Sequence, residues 1–361
     1  MRIAVLGTRG IPACYGGFET FAEELSTRLA ARGHEVTVYC RQPYPEKVWR
    51  GVSLQYVPTL RHKYFDTIAH TFLSTMHLLG HGHDVALYCN AANAVFTVWP
   101  RLRGIPVALN VDGIERRRKK WNALARGWYL VSEWLATRFP NVVITDAEQI
   151  REYYRQSYNR DSVFIPYGAP TDAVPPGEML QRLALEPRRY FLYVTRFEPE
   201  NNPLLVRQAF EELTTDMKLA LVGDAPYAAG YIAQVRATTD PRVVLPGAIY
   251  GQGYHELQSN SFAYVHATEV GGTHPALIEA MGRGALVLYL DTPENREVAG
   301  EAGIPFQPRT LAAALRAVIE MNDIERTALR EQARRRVEER YSWEKVTSAY
   351  EELFQRLTAR K

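Results

Sequence analysis

The feature that most constrains this chain is an alternation of short apolar runs with helix-periodic stretches that stops once and then starts again. RIAVLG (2–7) ends in glycine and is followed by GGFETFAEELSTRLAARG (16–33), whose apolar residues recur at helical spacing. EVTVYC (35–40), VSLQYVP (52–58), DVALYC (84–89), PVALNVDG (106–113) and NVVITDA (141–147) read as further strands. Between them, DTIAHTFLSTMHLLGH (66–81) and WYLVSEWLATRFP (128–140) read as helices, the first with Ile68, Phe72, Met76 and Leu79 along one apolar face. Strand and helix in this order predict a parallel sheet covered by helices on both faces.

The pattern breaks at APTDAVPPGEMLQRLALEPRR (169–189), where four prolines and a glycine read as a linker. It then restarts. YFLYVTR (190–196), KLALVG (218–223), RVVLPG (242–247), SFAYVHA (261–267) and ALVLYL (285–290) are strands, with helical segments between them. The expectation is two α/β domains, 1–170 and 171–340, facing each other across a cleft. A last helix within 341–361 is expected to pack back on the first domain. A length of 361 residues suits two cores better than one.

Composition removes several function classes. A net charge of +3 is too small for wholesale nucleic-acid binding. Cys14, Cys40 and Cys89 are odd in number and widely spaced, against a disulfide framework or a zinc site, and a reducing cytoplasm suits them. No apolar run reaches the roughly 18 to 20 residues of a membrane span. The histidines His70, His77, His81 and His83 have no ligand partners at metal spacing, so no metal site is expected.

Candidate chemistry gathers where strands end. In ATEVGGTHPALIEAMGRGALVLY (267–289), two glycines and a proline open a helix that carries one acid, Glu279. A helix entrance of small residues offers free N–H groups and positive potential to a phosphate. A carboxylate nearby must face something with hydroxyls instead, and phosphate beside hydroxyls describes a nucleotide sugar. LGTRGIPACYGGFETF (6–21) is glycine-rich without being a dinucleotide fingerprint or a P-loop. There Gly16 and Gly17 can turn N–H groups toward a diphosphate, or form a flexible loop only. Asp112, in NVDGIERRRKKW (110–121), stands at a strand end, where it is either a catalytic group or a turn-forming Asp-Gly. Arg196, in YVTRFEPENNP (193–203), matches a diphosphate in two-pronged fashion if it points inward, and is a surface arginine otherwise. The run Arg116–Lys120 reads as a solvated basic face; with the aromatic residues up to Trp128 it also suits an anionic membrane surface.

GTRGIPACYGGFETFAEEL, NAANA, NVDGIERRRKKW, RFEPENN and EVGGTHPALIEAMGRG, in that order, resemble the bacterial family 4 glycosyltransferases, within them the rhamnosyltransferase subgroup. The resemblance implies the GT-B fold: two Rossmann-like domains, the N-terminal on the acceptor side and the C-terminal binding the donor. It implies a retaining glycosyltransferase that needs neither metal nor cofactor. Such an enzyme moves a sugar, in this subgroup rhamnose, from a nucleoside-diphosphate sugar to a glycan or lipid-linked acceptor in cell-surface polysaccharide synthesis. Its setting would be the cytoplasm, at the inner face of the membrane. Glu279 matches the second Glu of the family's E-x7-E motif, which holds the ribose. Arg196 matches the arginine that stabilises the leaving diphosphate, and Gly16 and Gly17 match the first domain's glycine loop.

Three positions depart from the family pattern. Gly271 stands where the motif's first Glu belongs, with Glu269 two residues earlier. Asn201 or Asn202 replaces a basic residue, which shifts leaving-group stabilisation onto Arg196 and the N–H groups of Gly271, Gly272 and Thr273. Asp112 takes the place of a histidine near the reacting sugar. These departures keep two other readings in view, a nucleotide-sugar epimerase and a catalytically weak sugar-nucleotide-binding subunit.

Overall fold

Strands form where the apolar runs lie, because a parallel strand buried on both faces needs apolar side chains on both. The structure, a computed structural model, describes residues 1–13, 16–60, 66–118, 122–225 and 228–359. Within them the chain divides into two compact units, 1–168 with 343–361, and 169–342.

In the first unit the strands are β1 (Arg2–Leu6), β2 (Glu35–Cys40), β3 (Val48–Trp49), β4 (Val52–Tyr56), β5 (Val85–Cys89), β6 (Val107–Asn110), β7 (Val142–Thr145) and β8 (Val163–Phe164). They form one sheet in the order β3-β4-β2-β1-β5-β6-β7-β8, parallel except for the β3–β4 pair. Its helices are α1 (Gly17–Ala31), α2 (Asp66–Leu79), α3 (Val98–Leu102), α4 (Ala123–Ala136) and α5 (Glu148–Tyr158). The second unit adds α6 (Glu178–Arg182), α7 (Pro203–Glu211), α8 (Ala229–Arg236), α9 (Gly251–Asn260), α10 (Pro275–Gly282), α11 (Pro293–Ala299), α12 (Leu311–Glu320) and α13 (Asp323–Arg340). Its strands β9 (Tyr190–Val194), β10 (Lys218–Val222), β11 (Val243–Val244), β12 (Ala263–His266), β13 (Leu286–Leu290) and β14 (Ile304–Phe306) form an all-parallel sheet, β11-β10-β9-β12-β13-β14.

The last helix, α14 (Trp343–Thr358), belongs to the first unit. Its Glu351 accepts from Arg32 at 2.7 Å and pairs with His34 at 2.8 Å, and Tyr350 packs against Phe21. Gly168 is required at this seam, since a Cβ there would lie 2.3 Å from the Trp343 ring.

Two helices of the first unit overturn the expected polarity. On α2 the buried face is His70, Thr71, Ser74, Thr75 and Leu78, while Phe72 and Met76 are exposed. Ile68 and Leu79 do reach the core cluster, and Phe72 lies against the Phe96 and Trp99 rings at its edge. Small polar residues let α2 approach the sheet closely, and Thr75 Oγ1 finds a partner there, 2.8 Å from the Tyr88 hydroxyl. On α4, Tyr129, Ser132, Glu133 and Ala136 are buried.

Candidate functional site

Open parallel sheets bind ligands beyond the carboxyl ends of strands, at the point where strand order reverses. In the second unit that point lies between β9 and β12, which are neighbours although β9 leads on to β10. Arg196 follows β9, and residues 267–274 follow β12.

These two segments are tied to each other. Asn202, in the left-handed region at φ 55°, donates through Nδ2 to the Ala267 carbonyl at 2.9 Å and to Glu269 Oε1 at 3.1 Å. The Glu269 N–H in turn donates to the Glu200 carbonyl at 2.9 Å. Asn201 is buried, and its amide donates to the Arg196 carbonyl at 2.8 Å. Both asparagines therefore brace the loops that carry Arg196 and Gly271. Arg196 itself is partly exposed, with its guanidinium 3.7 Å from the Glu198 carboxylate.

Beyond β12 the backbone runs through Gly271, Gly272 and Thr273, all buried, to His274, the N-cap residue of α10, whose side chain makes no capping bond to the helix. A Cβ at Gly271 would meet the His274 ring at 2.2 Å, so this glycine lets the histidine fold back over the loop. Below it lies His266, fully buried, its ring centroid 4.6 Å from that of His274 and neither of its nitrogens hydrogen-bonded. Burial lowers its pKa to about 3, so it stays neutral. Pro275 opens α10, where its missing N–H costs nothing.

Glu279 sits in the second turn of α10 and is buried. Its Oε2 accepts from the Tyr254 hydroxyl, which accepts in turn from Gln258 Nε2 at 2.8 Å. Gln258 also donates to the Ala276 carbonyl at 3.2 Å. Burial, then the charge of Glu279, holds the Tyr254 phenol well above its ordinary pKa, so the proton stays on Tyr254. Neither Tyr254 nor Gln258 is marked in the sequence, because the partner of Glu279 comes from another helix.

In the first unit strand order reverses between β1 and β5. Gly16 precedes α1 in an extended conformation with no side-chain cap. Glu19, one turn in, is buried and accepts from the Arg9 N–H at 2.9 Å, and burial raises its pKa. It closes the β1–α1 loop on itself. Asp112 follows β6 at φ 58°, its N–H donating to Asn110 Oδ1 at 3.0 Å and its Oδ1 accepting from Tyr167 at 3.2 Å. Burial, with the Glu115 carboxylate beside it, pushes its carboxyl above the ordinary range. The Tyr167 ring also packs on Phe18 and Phe21 of α1, so this tyrosine joins Asp112 to the start of α1 beside Gly17.

Among the described residues of the basic run, two of the three arginines are tied to carboxylates. Arg116 pairs with Glu133 at 3.2 Å and donates to Tyr153 at 2.7 Å. Arg118 is buried and paired with Glu115 at 2.6 Å. Arg117 is exposed, while Lys119 and Lys120 lie outside the described residues, as does Cys14. Cys40 and Cys89 are buried free thiols. Among the described residues no three His, Cys, Asp or Glu side chains gather as a metal site.

Residues 16–168 match the glycosyl transferase 4-like domain, and residues 178–336 match the glycosyl transferases group 1 domain. The chain belongs to the glycosyltransferases of the GT-B fold. Sucrose-phosphate synthase from Thermosynechococcus elongatus superposes with a TM-score of 0.79 at 19% identity over 100% of both chains. HepE of Anabaena, solved in complex with UDP-glucose, superposes with a TM-score of 0.78 at 16% identity over 98% of this glycosyltransferase and 99% of HepE. At those identities the likeness concerns the fold. In sequence, an MMP α-(1→4)-mannosyltransferase of Mycolicibacterium hassiacum is 45% identical over 60 residues, which are 17% of this chain and 14% of the relative.

Proposed function

We propose that this glycosyltransferase moves a sugar, with retention at the anomeric carbon, from a nucleoside-diphosphate sugar to a glycan or lipid-linked acceptor. The observation that carries the reading is in the second unit. A buried carboxylate, Glu279, and the arginine-bearing loop braced against Ala267 and Glu269, which lead into Gly271–Thr273, stand at one strand-order reversal. The carboxylate suits ribose hydroxyls, and the guanidinium with the loop N–H groups suits a diphosphate. That HepE is solved with UDP-glucose supports the donor class.

In this mechanism Arg196 meets charge that grows on the leaving diphosphate, so its contact strengthens toward the transition state. Asn201 and Asn202 hold that arginine and the loop in register. In the first unit, Gly16 and Gly17 are assigned to the diphosphate and Asp112 to the neighbourhood of the reacting sugar. The reaction needs no metal in this reading, since cationic side chain and backbone N–H groups take its electrostatic role. Rhamnose rests on the subgroup resemblance alone. A cytoplasmic setting goes with the buried free thiols.

A panel of nucleoside-diphosphate sugars screened by thermal shift identifies the donor, and an acceptor panel then follows release of nucleoside diphosphate. Release that requires acceptor, with an axial or equatorial product linkage matching the donor's by NMR, supports a retaining transferase. Donor binding without release under any acceptor favours the binding-subunit reading, to which the Arg196–Glu198 pairing also points. Interconversion of the nucleotide sugar without acceptor indicates an epimerase.

A further inference from the structure

We propose that the His274 imidazole is a specificity-determining group for the transferred sugar, standing in the volume that a side chain at position 271 would fill. The proposal rests on the donor-binding reading of the second unit. Its first support is steric. A Cβ on Gly271 would meet three atoms of the His274 ring, Cε1 at 2.2 Å, Nε2 at 2.8 Å and Nδ1 at 3.0 Å. Gly271 lies outside the left-handed region, so its backbone would accept a side chain, and it is the ring that excludes one. Positions 271 and 274 therefore share one volume, and only one of them can place a polar group there.

The fold holds the ring in that place. His266, at the end of β12, lies beneath it, with the ring centroids 4.6 Å apart and the planes at 51°. Tyr264 follows on the same strand, its ring 6.3 Å from that of His266 and at 22° to it. His266 is buried with both nitrogens unbonded, which is costly inside a protein and marks this pair of rings as more than filling. His274 itself is only half-buried. The loop between them is anchored where it leaves the sheet: Thr268 Oγ1 lies 3.1 Å from the Tyr193 hydroxyl, and the Thr268 carbonyl accepts from Asn295 Nδ2 at 3.0 Å. A ring carried on so fixed a loop is placed before any ligand arrives.

Glu269, the nearest acid in the chain, is committed elsewhere. Its Oε1 accepts from Asn202 Nδ2 at 3.1 Å and its N–H donates to the Glu200 carbonyl at 2.9 Å, so it braces the loop that leads to Arg196. The N–H groups of Gly271–Thr273 suit a diphosphate. An imidazole rooted at the next residue and folded back over that turn stands beside the phosphate that carries the sugar. A neutral imidazole has one donor and one acceptor nitrogen, the same two functions as a sugar hydroxyl, whereas a carboxylate only accepts. The group it takes is thus a hydroxyl of the transferred sugar.

The test is calorimetry of wild type, His274→Ala, His274→Asn and Gly271→Ala with matched pairs: UDP and UDP-glucose, GDP and GDP-mannose, dTDP and dTDP-rhamnose. For the pair that wild type binds, His274→Ala should weaken the sugar nucleotide about tenfold, the loss of one hydrogen bond, and leave the nucleotide within about twofold. His274→Asn keeps a donor and an acceptor and should recover part of the loss. Gly271→Ala should reproduce the loss by displacing the ring. In the His274→Ala background it should add less than about twofold, because both changes remove the same contact. Equal weakening of nucleotide and sugar nucleotide by His274→Ala overturns the proposal, since the ring then serves the diphosphate or the fold. An unchanged affinity for both overturns it too, and in either case the donor reading stands. Wild type that binds none of the pairs removes the donor reading, and the assignment of His274 goes with it.

Discussion

Helices α2 and α4 of the first unit pack with a polarity opposite to that of α7 and α12 in the second. In the second unit α12 turns Leu311, Leu315 and Val318 into the core, and α7 buries Val206 and Phe210. In the first unit α4 buries Ser132 and Glu133 while Leu130, Val131 and Trp134 face outward, and α2 buries Thr71, Ser74 and Thr75 while Phe72, set against Phe96 and Trp99, stays 40% exposed. Periodicity identifies which face of a helix is apolar. It does not identify which face is inside, because a few bonded polar groups, such as Thr75 on α2 and Glu133 on α4, can hold the other face inward. The second unit shows what the rule leaves for chemistry: its apolar helices frame a small set of buried polar groups around Glu279.

The comparison breaks first at Glu133. If its buried network decides which face of α4 lies inward, Glu133→Ala leaves Arg116 and two phenols without their acceptor. Removing one partner of a buried ion pair costs roughly 3 to 5 kcal/mol. Denaturant unfolding should show a loss in that range. A loss below about 1 kcal/mol would mean that the helix is held by something other than this carboxylate.

The second unit's counterpart is Arg196→Ala, read in turnover rather than stability. Removing one preorganised donor aimed at transition-state charge costs about 100- to 1,000-fold in rate. Position 201 supplies no cation, and its amide is committed to the Arg196 carbonyl, so the upper part of that range is expected. Arg196→Lys should recover part of it, since an ammonium cannot reproduce the fork. Steady-state kinetics on the folded variants decide the point, and a loss under about tenfold removes Arg196 from the mechanism.

Tyr254→Phe tests whether a buried polar group in the second unit serves binding rather than the fold. Its hydroxyl bonds a carboxylate, an interaction of roughly 1.5 to 3 kcal/mol, so nucleoside-diphosphate affinity should fall about 10- to 100-fold with kcat little altered. Glu279→Gln is the companion measurement. Weak binding by Glu279→Gln with unchanged binding by Tyr254→Phe would keep the ribose assignment and discard the tyrosine.

Much of this architecture is legible in the sequence, and the failures share one cause. The strands β1, β2, β5, β6, β9, β10, β12 and β13 are apolar runs ended by turn residues, so period and punctuation reveal them. The two-residue strands β3 and β8 are too short to carry a period, whereas β11 lies within the apolar run RVVLPG. Helix α5, EQIREYYRQSY, turns Ile150 and Tyr154 inward with Tyr153 and Tyr158 packed on the core, a face of tyrosines rather than the aliphatic residues that usually mark one. Arg196, Asp112 and Glu279 are visible because strand ends and helix starts place backbone and charge together locally. The Tyr254–Gln258 relay is not, since its groups join Glu279 from α9. The basic run misleads for the same reason: Arg116 is neutralised by Glu133, 17 residues away in the chain.

The smallest expected effect makes the sharpest contrast between the units. Leu315→Ala on α12 removes a buried side chain and leaves a cavity, at roughly 2 to 5 kcal/mol. Val131→Ser on α4 removes apolar atoms of a side chain that is half exposed, and the helix keeps its Glu133 anchor. Its cost should stay within about 0.5 kcal/mol, as for surface substitutions away from special contacts. Both are apolar positions on amphipathic helices, and sequence pattern alone would rank them together. Chemical denaturation of the two variants at matched protein concentration separates them. A loss above about 1.5 kcal/mol for Val131→Ser would mean that the outward stripe of α4 packs inside the protein, and the contrast with α12 would fall with it.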